Sequence, residues 1–106
     1  MLFSVVRDDE GVALGCGAVV LLDGYGELKR MYVSTTARGR GIAKAIITFL
    51  EAEARLRHCM ILRLETGIHQ AEALALYARA GYARRGRYGD YPEDPLSVFM
   101  EKKIAL

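Results

Sequence analysis

The chain has 106 residues, 52% of them apolar and 26% charged, and a formal net charge of +2. That length and apolar content give one domain with one core, and so mild a charge excludes an argument for nucleic acid from composition. No apolar run approaches the roughly 20 residues of a membrane span, and Cys16 and Cys59 have neither a metal-ligand spacing nor a disulfide framework.

The first third reads as β-structure. Leu2–Arg7 (LFSVVR) is apolar and partly β-branched, Asp8–Gly11 is a turn, and Val12–Leu22 is a second strand with small residues in its middle. Asp23–Gly26 turns again, and Glu27–Val33 alternates charged and apolar residues as a half-exposed strand does. These three strands predict an antiparallel meander. The period then changes. From Gly41 to about His58, apolar residues recur at Ile42, Ala45, Ile46, Phe49, Leu50 and Leu56, which is a helical stripe, with Glu51, Glu53, Arg55 and Arg57 mostly off it. Met60–Thr66 is a further strand. Gln70–Gly81 is a second, shorter helix stopped by Gly81, a natural left-handed residue past a helix end. Tyr82–Tyr88 and Leu96–Lys103 read as closing strands around the loop Gly89–Pro95. The order β-β-β-α-β-α-β-β predicts one α/β (α+β) domain over residues 1–106 with a mixed sheet. Cys16 and Cys59 are expected to be reduced, buried thiols. His58 and His69 are read as polar loop residues, so no metal site is expected. The opening shows no secretory leader pattern, and the expected location is cytoplasmic.

The junction before the first helix carries the densest chemistry. Ser34-Thr35-Thr36-Ala37 follows a strand, and Arg38-Gly39-Arg40-Gly41 leads into the helix. Glycines allow other atoms close to the backbone. A first helical turn has unpaired N–H donors and a partial positive charge. Together they make an anion site suited to phosphate, to which two guanidiniums would add charge-assisted hydrogen bonds. A flexible loop with two solvated arginines fits the same residues. The spacing matches neither common phosphate loop, because no Gly-Lys-Ser/Thr follows and no complete G-x-G-x-x-G is present.

The run Glu27–Arg55 (ELKRMYVSTTARGRGIAKAIITFLEAEAR) resembles the GNAT family of acyl-CoA N-acyltransferases, whose mark R/Q-x-x-G-x-G/A stands here as Arg38-Gly39-Arg40-Gly41-Ile42-Ala43. A second family segment is similar to Leu64–Tyr82 (LETGIHQAEALALYARAGY): a strand ending in Glu, then a helix with an Ala-rich face, a Tyr and a closing Gly-aromatic pair. The resemblance runs from Phe3 over nearly the whole chain. It implies an acyl-CoA N-acyltransferase fold and transfer of an acetyl group from acetyl-CoA to an amine, either a small molecule or a protein N-terminus or lysine. The backbone from Gly39 to Lys44, with Arg38, Gly39, Arg40, Gly41, Ile42, Ala43 and Lys44 as the binding set, would hold the pyrophosphate. Met31, Tyr32 and Val33 would pair their backbone with the pantetheine arm, where the family's sheet splays. Gln70 stands where the family usually has Asn and would offer its amide to the cofactor. Tyr77 would protonate the leaving thiolate. Glu65 would take the amine's proton, with Glu27 or a water chain as alternatives.

The resemblance also implies a departure. Relatives carry a strand and two helices before the segment that begins here at Leu2, so a homodimer or strand exchange is expected to cover the exposed first strand. The loop Arg87–Pro95 would overhang the acceptor side, where Tyr88, Asp90, Tyr91, Glu93 and Asp94 could draw in a cationic amine. The competing readings are a catalytically silent acyl-CoA-binding module or interaction subunit and, far behind, a nucleic-acid binder using Arg79–Arg87. Neither a nucleic-acid nor a membrane partner is expected.

Overall fold

The structure, a computed structural model, describes residues 1–105. Its elements are β1 (Leu2–Arg7), β2 (Ala13–Leu22), β3 (Tyr25–Val33), a single 3-10 turn (Thr35–Ala37), α1 (Ile42–Leu56), β4 (Ile61–Gly67), α2 (Ala71–Arg79), β5 (Ala83–Arg85) and β6 (Ser97–Lys103). The predicted order is present, and β1, β2 and β3 form the expected antiparallel meander. The six strands make one mixed sheet in the order β1-β2-β3-β4-β6-β5, with β3 and β4 parallel. α1 is the crossover between them, as a parallel pair requires.

Both helices pack on one face. Val19 and Leu28 of the meander, Leu62 and Leu64 of β4, and Val98 and Met100 of β6 cluster with Ile46, Leu50 and Ala54 of α1 and Tyr77 of α2. Because strand side chains alternate, Glu27, Arg63, Glu65, Phe99 and Glu101 point to the opposite, helix-free face. β1 is an outer strand, and its helix-free side exposes Phe3 and Val5.

Three expectations are corrected. The buried stripe of α1 is Ile46, Ile47, Leu50, Glu51 and Ala54, while Phe49 and Leu56 face solvent. Glu51 sits inside that stripe at 6% exposure because the Lys102 ammonium, 3.0 Å from both carboxylate oxygens, and the Tyr82 hydroxyl at 2.9 Å satisfy it. The strand expected over Tyr82–Tyr88 ends at Arg85, because the chain then leaves the sheet edge to bury the Tyr88 ring on the helix-free face. Cys16 and Cys59 are free thiols, but half-buried rather than buried, each donating weakly to a backbone carbonyl, of Arg30 and Ile61 respectively.

The small residues of β2 have a definite job. Gly15 and Gly17 face α1 at close range. A Cβ at Gly15 would lie 3.0 Å from an Ile42 methyl, and one at Gly17 would lie 2.5 Å from Met31 Sδ and 2.8 Å from Ile46. Opposite Gly17 the β2–β3 register slips, so that Arg30 and Met31 face a single β2 residue and Arg30 takes a φ of 57°. This is a β-bulge, which bends and twists the strand that carries it. Gly17→Val is therefore expected to overpack the α1 interface and destabilise the fold by about 1–3 kcal/mol, read as a lowered urea midpoint.

Candidate active site

The bulge lies in the half of β3 that β4 does not accompany. β3 and β4 are paired only at Gly26–Leu62 and Glu27–Arg63. Beyond those positions β3 runs on to Val33 without β4 beside it, leaving one strand edge with unpaired backbone groups. A cleft of about 920 Å³ opens there on the helix-covered side. Its walls are Met31, Tyr32 and Val33 of β3, Arg38 and Gly39 of the junction, Gly41 through Lys44 at the start of α1, and Gln70 and Tyr77 on the α2 side. Residues scattered over the sequence thus meet in one place. Arg40 is the exception within the junction: it is exposed and does not line the cleft.

The floor of the cleft is the start of α1, with backbone donors left unpaired. Gly41 caps α1 in the left-handed region with φ 74°, and no side chain caps the helix. The first intrahelical bond runs from the Ala45 N–H to the Gly41 carbonyl, which leaves the N–H groups of Ile42, Ala43 and Lys44 without helical acceptors. The first turn holds no acidic residue. Among the described residues no carboxylate pairs with Arg38, Arg40 or Lys44. A Cβ at Gly39 or Gly41 would meet nothing within 4 Å, so the space in front of these amides is open. Open space, free donors and unpaired cations fit a diphosphate.

Tyr77 reaches the other end of the cleft from α2. Its side chain is 7% exposed, and burial pushes its phenol pKa above the ordinary value. No fully buried side-chain polar atom lacks a partner among the described residues, and the Tyr77 hydroxyl engages none, so it opens onto the cleft. Its backbone is fixed by the Tyr82 N–H bonding the Tyr77 carbonyl at 2.9 Å and the Gly81 N–H bonding Ala78 at 3.0 Å, a helix end that requires the φ of 99° at Gly81. The Tyr82 ring meets Tyr77 edge-on at 6.0 Å. Ala73, Leu76 and Ala80 line this wall at helical spacing beside Ala75, with one acidic side chain, Glu72, and one cation, Arg79. Sequence reasoning missed these residues, although the spacing Ala73-Leu76-Tyr77-Ala80 was the available signal.

Glu65 is not in this cleft. It lies on the helix-free face of β4, two residues past the last β3–β4 pair, and its carboxylate accepts a 2.7 Å hydrogen bond from Ser97 Oγ. Glu27 shares that face and is 4% exposed, with the Tyr88 hydroxyl donating to it at 2.7 Å and Lys29 Nζ 3.2 Å away. Burial alone would raise the Glu27 carboxyl pKa, but hydrogen bonds from Tyr88 and Tyr91 and the Lys29 ammonium outweigh it and hold the group below the usual range. The two glutamates and Tyr77 therefore stand on opposite faces of the sheet at the level where β3 and β4 part. His58 and His69 are exposed, and among the described residues no group of His, Cys, Asp or Glu could hold a metal. No helix is long and apolar enough to cross a membrane.

Comparison with known proteins gives consistent matches. The model of the Acetyltransferase (GNAT) family matches residues 2–82. An IAA acetyltransferase of Azospirillum brasilense is 48% identical over 102 residues, covering 94% of this chain and 67% of that protein. The uncharacterized N-acetyltransferase YsnE of Bacillus subtilis is 40% identical over 93 residues, covering 85% of this chain and 62% of that one. The chain thus spans about two thirds of the length of these relatives. A Klebsiella pneumoniae crystal structure assigned as an acyl-CoA N-acyltransferase superposes with a TM-score of 0.92 at 50% identity, over 95% of this chain and 70% of that one. PaiA N-acetyltransferase of Thermoplasma acidophilum, solved in complex with coenzyme A, shares the fold with a TM-score of 0.80 at 18% identity, over 91% of this chain and 57% of that one.

Proposed function

The chain belongs to the Acetyltransferase (GNAT) family, and from that membership we propose that it transfers an acetyl group from acetyl-CoA to an amine. The observation that carries the reading is the parting of β3 and β4 after Glu27–Arg63, which joins a strand edge, an uncapped helix start and a buried phenol in one cleft. The diphosphate would lie on the N–H groups of Ile42, Ala43 and Lys44, with Arg38 and Lys44 at its charge. Arg40 would act at longer range from the rim. Backbone groups of Met31, Tyr32 and Val33 would pair with the pantetheine arm as an added strand does. Gln70 borders the same cleft and would offer its amide.

Transfer requires the amine to lose a proton and the leaving sulfur to gain one. Tyr77 is the donor in this reading. A buried phenol with a raised pKa is protonated at neutral pH. Glu65 is the acceptor of the amine's proton, directly or through water. Glu27 is the poorer base of the two, since a carboxylate held in its anionic form binds a proton weakly. A second copy covering Phe3 and Val5 on the outer strand belongs to the same reading. Sedimentation at micromolar concentration reports it as a dimer, and a monomer would remove it. A cytoplasmic location completes the proposal.

Calorimetric titration tests the cleft. Wild-type protein is expected to bind coenzyme A, and Gly41→Val to bind it about ten-fold or more weakly, because a β-branched residue resists φ 74° and fills the open space before the amides. No binding by the wild type up to millimolar coenzyme A would end the proposal. Binding without thiol release against any amine would leave a silent acyl-CoA-binding module.

A further inference from the structure

Glu51 is a charged residue set inside the apolar stripe of α1, and its partners converge on the end of α2. The Tyr82 hydroxyl donates to its carboxylate at 2.9 Å, and the Lys102 ammonium lies 3.0 Å from both oxygens. We infer that Glu51 is a positioning residue for Tyr77: by fixing Tyr82 from α1, it sets where the last turn of α2 and its buried phenol stand against the cleft. The inference rests on the transferase reading for what Tyr77 does; the coupling of Glu51 to Tyr77 rests on the packing alone.

Little else holds α2. It has nine residues, too few for a helix to be stable alone, and Tyr77 is its single buried side chain. Its direction must therefore come from tertiary contacts near Tyr77, and Tyr82 makes two of them. The Tyr82 N–H bonds the Tyr77 carbonyl at 2.9 Å, and its ring meets the Tyr77 ring edge-on at 6.0 Å. Between them Gly81 turns the chain at φ 99°, and the Lys102 stem lies against it, with Cε 3.3 Å from where a Cβ would stand. The two residues that engage Glu51 are thus two that pack on the end of α2.

Tyr82 is in turn held at its far end by Glu51. Its side chain is buried at 3% exposure, and burial together with the Glu51 charge pushes its phenol pKa well above the ordinary value. The proton therefore stays on Tyr82, which makes the phenol the donor and fixes the direction of its O–H. Lys102 bridges both carboxylate oxygens, and the Arg55 guanidinium, one turn further along α1, donates to the Ile104 carbonyl at 3.1 Å, so α1 and the end of β6 are tied together around the cluster. Stability alone does not call for this arrangement. Replacing a buried ion pair by apolar residues of similar volume often leaves a fold as stable or more so, whereas a fully satisfied polar network specifies one arrangement. What the carboxylate adds is direction, given to the ring that braces Tyr77.

Tyr82→Phe deletes one oxygen and leaves both the ring and the Glu51–Lys102 pair. It is expected to lower kcat about five-fold or more, with KM for acetyl-CoA changed by no more than about two-fold. In a Tyr77→Phe background the same change should cost kcat less than about two-fold, because the hydroxyl that Tyr82 positions is gone. Equal loss in both backgrounds would mark a purely structural role and overturn the inference. Glu51→Gln still accepts from Tyr82 and should keep kcat within about three-fold, whereas Glu51→Leu, with the partly exposed Lys102 free to turn to solvent, should match Tyr82→Phe. A Gln variant no better than the Leu variant would also overturn it. NMR of the whole protein with ring-labelled tyrosine reads the coupling without turnover, Tyr77→Phe assigning the Tyr77 signal. Glu51→Leu is expected to shift or broaden that signal, and an unchanged signal would overturn the inference. A moved signal in a protein that releases no coenzyme A from acetyl-CoA with any amine leaves the coupling standing and removes the transferase reading instead.

Discussion

Tyr77→Phe is expected to lower kcat for acetyl transfer by about 10²-fold or more, with coenzyme A affinity changed by no more than a few-fold. The substitution removes one oxygen and keeps the ring, so the edge-on packing on Tyr82 and the burial at 7% exposure persist. What disappears is a hydroxyl with no internal partner on a residue that lines the cleft. Because burial raises the phenol pKa, the wild type should keep its activity well into the alkaline range; its donor is lost only above the ordinary phenol value near 10. Steady-state kinetics paired with calorimetry separates the two effects. Unchanged kcat would take Tyr77 out of the chemistry and leave it as packing between α2 and the sheet.

Glu65→Gln is the second large effect. On the proposed reading it lowers kcat/KM by about 10²-fold, since Gln accepts no proton. The hydrogen bond to Ser97 can be kept by the Gln carbonyl, so the fold should hold. Glu27→Gln is the paired control. Removing that buried anion takes away the partner of Tyr88 and Lys29, so its main cost should appear in amine KM and in stability at neutral pH. The sign follows from the lowered Glu27 pKa: its contribution is present above the ordinary carboxylate pKa and fades as the solution is acidified. A Glu27→Gln variant that loses kcat while Glu65→Gln retains it would move the base from β4 to β3.

Much of this was legible in the residues alone. The change of period at Gly41 marks the start of α1, and Gly81 marks where α2 stops, because both glycines hold φ values that other residues resist. The uncapped, glycine-rich start of α1 was legible for the same reason. Other features were not. Glu51 carries a charge and was read as surface, yet it is buried because Lys102, 51 residues away, reaches it. Tyr88 was assigned to a strand, yet it crosses the sheet edge to cap Glu27 from 61 residues away. Partners so distant in sequence leave no local trace.

The order of elements, the uncapped glycine-rich helix start and the family resemblance were determined by the sequence itself, since periodicity and backbone freedom are properties of neighbouring residues. Only the tertiary structure decided how the glutamates divide from Tyr77. The bulge opposite Gly17 accompanies the parting of β3 from β4, and alternation along β4 then sends Glu65 to the face away from both helices. Alternation along β3 and β4 thus puts the cleft at the start of α1 on one face of the sheet, and Glu27 with the tyrosine that caps it on the other.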